Sequence, residues 1–321
     1  VIAYKKMRGR PLTFLILNPY NELTKLETDP QSAMKNKEEP LMNSAKSISI
    51  LTIFLSLGLS ACVGIAKEQP VHKEAPPVAE EGSCEGFGPQ TPRDIDSKAG
   101  ENKRIFSVAP GCNDMNLCNI HFHVNAEHKA KDFAIYAGEG HEGHGGGYKC
   151  TTTSLLTKKE LEPPKGEVCH GLKPGDTIEV HWVYSSCDIK PGEGLGSCLS
   201  ESCSNPNLRV ETQVFLVVND SSALNFNDFV YDGNMVNGLH QAKALPSGTG
   251  NPVEFLGSTT GPKYNNQQCS PFQVTWSVRP ECAKVDINSL GKWCEGNVFK
   301  EDHGHGVRKL VTDPKLLSEI K

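Results

Sequence analysis

The segment Asn119-Ile120-His121-Phe122-His123-Val124 alternates between polar and apolar side chains. Successive side chains of an extended strand point to opposite faces. The period of two therefore predicts a β-strand with Asn119, His121 and His123 on one face and Ile120, Phe122 and Val124 on the other. Two imidazoles so placed can share one metal ion, and a third ligand must come from elsewhere. A second alternating run, Thr177 to Tyr184, puts Glu179 and His181 on one face, opposite Ile178, Val180 and Trp182. Lys173-Pro174-Gly175-Asp176 supplies the turn into it. If these strands are neighbours, His121, His123 and His181 converge. Three neutral nitrogens with a fourth position open are the ligand set of a catalytic zinc, not a structural one. A metal-bound imidazole donates its other N–H to an acceptor. Asn119 and Glu179, each two residues ahead of a histidine and on its face, stand where such acceptors belong. Further period-two runs at 210–218 and 272–278 extend the expectation of a mainly β fold.

The 321 residues suffice for one large core or two small ones, and no internal repeat is apparent. A net charge of −5 gives no basis for nucleic-acid binding. Few aromatics and many Gly, Pro, Asn and Ser suit a loop-rich β protein. The twelve cysteines are scattered with no CxxC pair, so a zinc ribbon is not indicated. So many scattered cysteines suit an exported protein that oxidises them into disulfides. Close pairs such as Cys112/Cys118 and Cys198/Cys203 are candidate bridges, although spacing alone does not fix partners.

Residues 47–61 are an apolar run preceded by Lys46, too short to span a bilayer comfortably but suited to a signal-peptide core. Leu59-Ser60-Ala61-Cys62 resembles a bacterial lipobox, in which cleavage precedes a cysteine that is then lipidated. The expected organisation is a non-native extension over 1–41, a lipoprotein signal peptide over 42–61, lipidated Cys62 with a polar tether over 62–83, and a folded domain over 84–321. Lipidation would anchor the protein in the bacterial envelope, on the periplasmic side of the outer membrane. With Cys62 lipidated, eleven cysteines remain, so at least one is free or pairs outside the chain.

The histidine segments, NIHFHVNAEH and IEVHWVY, resemble the zinc-site signatures of α-class carbonic anhydrases. The short gap between HFH and EH, the many cysteines and Ala126-Glu127-His128-Lys129-Ala130 are more similar to the delta class. Gly257-Ser258-Thr259-Thr260-Gly261-Pro262, the strand Val274-Thr275-Trp276 and the early Gly88-Pro89-Gln90-Thr91-Pro92 segment resemble further family segments in the family order. The resemblance implies a large, twisted, mostly antiparallel sheet with short peripheral helices. It implies Zn2+ on His121, His123 and His181, with Co2+ or Cd2+ as possible substitutes. Asn119, Glu179 and His128 would support the ligands. The implied reaction is attack of a zinc-bound hydroxide on CO2, giving bicarbonate and a proton. Thr259 would accept the hydroxide's hydrogen and donate its own to Glu127, orienting the nucleophile. Val183 and Thr260 would line the substrate pocket.

No histidine occupies the family's proton-shuttle position. His141 and His144, in a glycine-rich loop, are the alternatives, and His303-Gly304-His305 is a second such loop. Two other readings use the same residues. His121-x-His123-xxx-Glu127 matches the start of a cupin motif, which would make Glu127 a metal ligand. A non-catalytic periplasmic zinc-binding lipoprotein would rely on the Gly/His loop.

Overall fold

The structure is a computed structural model that describes residues 84, 86–140, 145–166, 168–260, 264 and 268–321, all within one compact unit, Lys67–Lys321. The expected extension, signal peptide, Cys62 and the whole tether lie outside the described residues, as do His141 and His144.

The strands are β1 (Asn116–Val124), β2 (Ile135–Tyr136), β3 (Tyr148–Lys149), β4 (Thr177–Ser185), β5 (Leu208–Val218), β6 (Met235–Val236), β7 (Leu239–His240), β8 (Val253–Ser258), β9 (Gln273–Val278) and β10 (Ala283–Asp286). The main sheet runs in the order β1-β4-β5-β9-β8, with β10 also on β5. β1/β4, β4/β5 and β8/β9 are antiparallel, whereas β9 and β10 lie parallel to β5. The sheet is thus mixed. The long β5 accommodates both parallel partners on one edge, β9 along Leu208–Thr212 and β10 along Phe215–Val218. The one α-helix among the described residues, α1 (Ile287–Cys294), and several 3-10 turns lie outside the sheet.

Alternation decides the packing. Ile120, Phe122, Ile178, Val180, Trp182 and Phe215 face a core closed by Phe226, Leu290 and Trp293. Val183, Val210, Val214, Val274 and Trp276 face a second core on the opposite side. The odd-numbered histidines of β1 and β4 share the second face. α1 is amphipathic and buries Ile287, Leu290 and Trp293.

Five disulfides tie distant segments: Cys84–Cys269, Cys118–Cys198, Cys150–Cys282, Cys169–Cys294 and Cys187–Cys203. Neither close pair suggested by spacing forms. The fold sets Cys118 of β1 against Cys198 and leaves Cys203 to Cys187, and Cys112 is the free cysteine among the described residues.

Candidate metal centre

β1 and β4 are adjacent and antiparallel, and their register sets His121 directly opposite His181 and His123 opposite Glu179. Each imidazole is oriented through one nitrogen. His121 Nδ1–H donates to Asn119 Oδ1 at 2.6 Å, and Asn119 is held in turn by its Nδ2–H donating to Gly192 O at 3.1 Å. His123 Nδ1–H donates to the Gly306 carbonyl at 2.9 Å. His181 Nε2–H donates to Glu179 Oε1 at 2.7 Å. The nitrogens left over are His121 Nε2, His123 Nε2 and His181 Nδ1. His121 Nε2 and His181 Nδ1 lie 3.2 Å apart, and His123 Nε2 is buried with no hydrogen-bond partner. The three side chains form a group whose ligand atoms lie within 4.8 Å of one another. An unsatisfied buried nitrogen beside two others is costly without a ligand. The donor set therefore fits a metal ion bound by three imidazoles.

Electrostatics favours the neutral, ligating form. Burial, with neighbouring His181 and His123, holds His121 well below the usual imidazole range. Burial lowers His123 to about 4, against the opposing charge of Glu127. Glu179 is fully buried, which opposes its charge, but the charge and hydrogen bonds of His128 and the bond from His181 hold its carboxyl well below the usual range. His128 donates to it twice, through Nδ1–H to Oε1 at 2.7 Å and through its backbone N–H to Oε2 at 3.0 Å. His128 thus serves Glu179 and not its sequence neighbour Glu127.

Glu127 is fully buried, and its Oε1 lies 3.6 Å from His123 Nδ1, the nitrogen turned away from the metal position. It belongs to neither group of described residues that could hold a metal. Glu127 Oε1 accepts the Arg308 backbone N–H at 3.1 Å. Glu127 Oε2 has no hydrogen-bond partner, and Glu127 lines a cavity of about 30 Å³ together with Tyr136, Tyr148 and Arg308. The direct bond from Thr259 to Glu127 does not form. Thr259 Oγ1 lies 2.8 Å from Ser270 Oγ, a buried hydroxyl brought beside it where β9 begins. Val183 is buried and shares the His181 face of β4, while Thr260 is half-buried past the end of β8.

Sequence reasoning missed Gly306, Arg308 and Ser270. Gly306 acts through a backbone carbonyl and Arg308 through its backbone N–H, so neither has a side-chain signature for that role. Ser270 reads as ordinary loop serine until β8 and β9 are paired. Gln90, quoted in the early segment, is buried and bonds Ser270.

A three-histidine centre on the face of a mixed β-sheet, each imidazole oriented by its own acceptor, is the arrangement of a metalloenzyme with a position open for chemistry. The delta carbonic anhydrase family model matches residues 112–289, and the chain belongs to that family and is a carbonic anhydrase. Among solved structures, the chain is similar to the α-carbonic anhydrase from Thermovibrio ammonificans in complex with the inhibitor sulfanilamide. That likeness has 17% identity and a TM-score of 0.28 and covers 68% of this chain and 82% of the other. It is also similar to a hyperthermostable carbonic anhydrase identified from an active hydrothermal vent chimney, with 14% identity, a TM-score of 0.27, and 72% and 86% covered. A third is the α-carbonic anhydrase of Photobacterium profundum, with 15% identity, a TM-score of 0.24, and 71% and 88% covered. No curated protein matches the chain. The family match, not these likenesses, carries the assignment.

Proposed function

We propose that His121 Nε2, His123 Nε2 and His181 Nδ1 hold Zn2+ and that the centre hydrates CO2 reversibly to bicarbonate and a proton. The supporting observation is the convergence of three imidazole nitrogens, each freed for a metal because its partner nitrogen donates elsewhere. When bound, the zinc would supply Lewis acidity, lowering the pKa of a coordinated water to about 7. The protein supplies position. Asn119, the Gly306 carbonyl and Glu179 fix the three rings. Thr259 presents a hydroxyl at the end of β8, Glu127 places a negative charge behind His123, and Val183 contributes apolar surface on the His181 face. Replacing His121, His123 or His181 by Ala removes one of three ligands. Each variant is expected to lose both zinc, measured by metal analysis, and CO2 hydration, measured by stopped flow. A variant that hydrates CO2 at the wild-type rate would exclude its residue from the centre.

The proposal extends to location. The lipobox ending at Cys62 makes this a lipid-anchored protein of the bacterial envelope, with residues 63–83 as tether and the enzyme domain from 84 onward. Labelled fatty acid should enter the wild-type protein and not Cys62→Ser, and label in both would refute the anchor.

A further inference from the structure

We propose that Ser270 is a positioning residue for the reaction: it, not Glu127, holds the hydroxyl of Thr259, and Gln90 and Arg308 tie this pair back to Glu127. The inference rests on reading the centre as the site of CO2 hydration, and it concerns residues to which the resemblance assigns no such role.

The backbone brings the two hydroxyls together. Ser258 pairs with Gln273 at the end of the β8/β9 ladder. Thr259 N–H then donates to Phe272 O at 3.1 Å, which continues the pairing by one step. Residues 270–272 thereby lie alongside Thr259. Ser270 is fully buried, Thr259 nearly so, and their oxygens are 2.8 Å apart. Phe272 N–H donates to Ser270 Oγ at 3.3 Å and so occupies one of its lone pairs. A serine hydroxyl has two. The remaining contact of this hydroxyl is Thr259 Oγ1, and a hydrogen bond between the two, which either can donate, fixes the direction of the Thr259 hydroxyl.

A single side chain clamps Ser270. Gln90 Oε1 accepts the Ser270 N–H at 3.0 Å, and Gln90 Nε2–H donates to the Ser270 carbonyl at 3.1 Å. The same Gln90 Oε1 accepts from the Arg308 guanidinium at 3.4 and 3.5 Å. Arg308 reaches Glu127 through its backbone N–H. The path Thr259–Ser270–Gln90–Arg308–Glu127 is therefore continuous, and each of its residues is buried. Ser270 is held through its backbone by Gln90 and through its hydroxyl by the Phe272 N–H, so it loses little freedom when it bonds Thr259, which makes it suited to setting one rotamer of Thr259.

The test compares Ser270→Ala, which removes the hydroxyl, with Ser270→Thr, which keeps it. In metal-free protein, the Hα–Hβ coupling of Thr259 by NMR should report one rotamer in wild type and Ser270→Thr and an average in Ser270→Ala. In zinc-loaded protein, kcat for CO2 hydration should fall about tenfold in Ser270→Ala, with KM and zinc content unchanged, and stay within about twofold in Ser270→Thr. If Ser270→Ala does not fold, Ser270→Cys, similar in size with a thiol that is both a weak donor and a weak acceptor, takes its place. Wild-type kcat without the hydroxyl, or equal behaviour of the two variants in coupling or in kcat, overturns the proposal. Loss of zinc from both variants overturns it as well, since it marks Ser270 as packing. Zinc-loaded wild type that does not hydrate CO2 would instead refute the functional reading, and the metal-free coupling would still judge Ser270.

Discussion

At the scale of single residues, the outer nitrogens of the three imidazoles are held by acceptors of different kinds: an amide oxygen, a backbone carbonyl and a carboxylate. The amide and the carboxylate were legible in the sequence because they sit two residues ahead of their histidines, where strand alternation shares the face. The carbonyl was not, because any residue type can supply it. Glu127 is a different kind of case. Its neighbour in sequence, His128, bonds Glu179, and its own hydrogen bond is with the segment carrying Arg308. Glu127→Gln keeps an acceptor for the Arg308 N–H but removes the charge 3.6 Å from His123 Nδ1. Zinc is expected to remain at one per chain while kcat falls roughly tenfold or more. Metal content and stopped-flow hydration on one sample check this. Zinc loss from that variant would favour the cupin-like reading, in which Glu127 is a ligand.

At the scale of elements, the long period-two strands were readable, and the pieces that complete the sheet were not. β1, β4, β5 and β9 cover the four alternating runs. β10 escapes notice because it is only four residues long, and β8 because its run Val253-Glu254-Phe255-Leu256-Gly257-Ser258 breaks its alternation at Leu256. The disulfide partners were equally hidden, since each bridge reports a proximity that only the folded chain creates. Segment 303–306 shows how little sequence signal an essential contact needs. It covers the outer edge of β1, with Val124 N–H donating to His305 O at 2.9 Å and His305 N–H to Phe122 O at 2.8 Å. Gly304 permits the approach. A Cβ there would stand 2.5 Å from Val124 Cγ2 and 2.9 Å from Phe122 Cε2. Gly304→Ala should push this segment off β1 and disturb the Gly306 carbonyl that orients His123. The expected result is zinc affinity weakened about 10- to 100-fold, as for loss of a ligand's hydrogen-bond partner, with the fold retained. Competition with a chelator measures it, and unchanged affinity would mean the edge yields without moving Gly306.

At the scale of the whole molecule, the metal-free protein carries a built-in sensitivity to acid. His123 titrates near 4 when folded and near 6.5 in an unfolded chain, and His121 is displaced in the same direction. As pH falls through 6.5, the unfolded chain takes up protons that the folded centre refuses. The unfolded state then binds more protons, so stability is complete above 6.5 and is lost progressively as pH falls toward 4. His123 alone contributes a slope of about 1.4 kcal/mol per pH unit within that window. The Tm of metal-free protein should therefore fall between pH 6.5 and 4.5, and His123→Phe, which cannot take up that proton, should flatten the curve. An equal slope in that variant would place the acid sensitivity elsewhere. The centre also has a consequence in time. His123 and the carbonyl that orients it are 183 residues apart along the chain. A chain made, or threaded through a membrane, with its N-terminus leading presents its histidines long before Gly306 arrives to aim one of them. An ion arriving early would meet a His123 that is not yet aimed, so firm metal capture is expected only after the segment carrying Gly306 has docked.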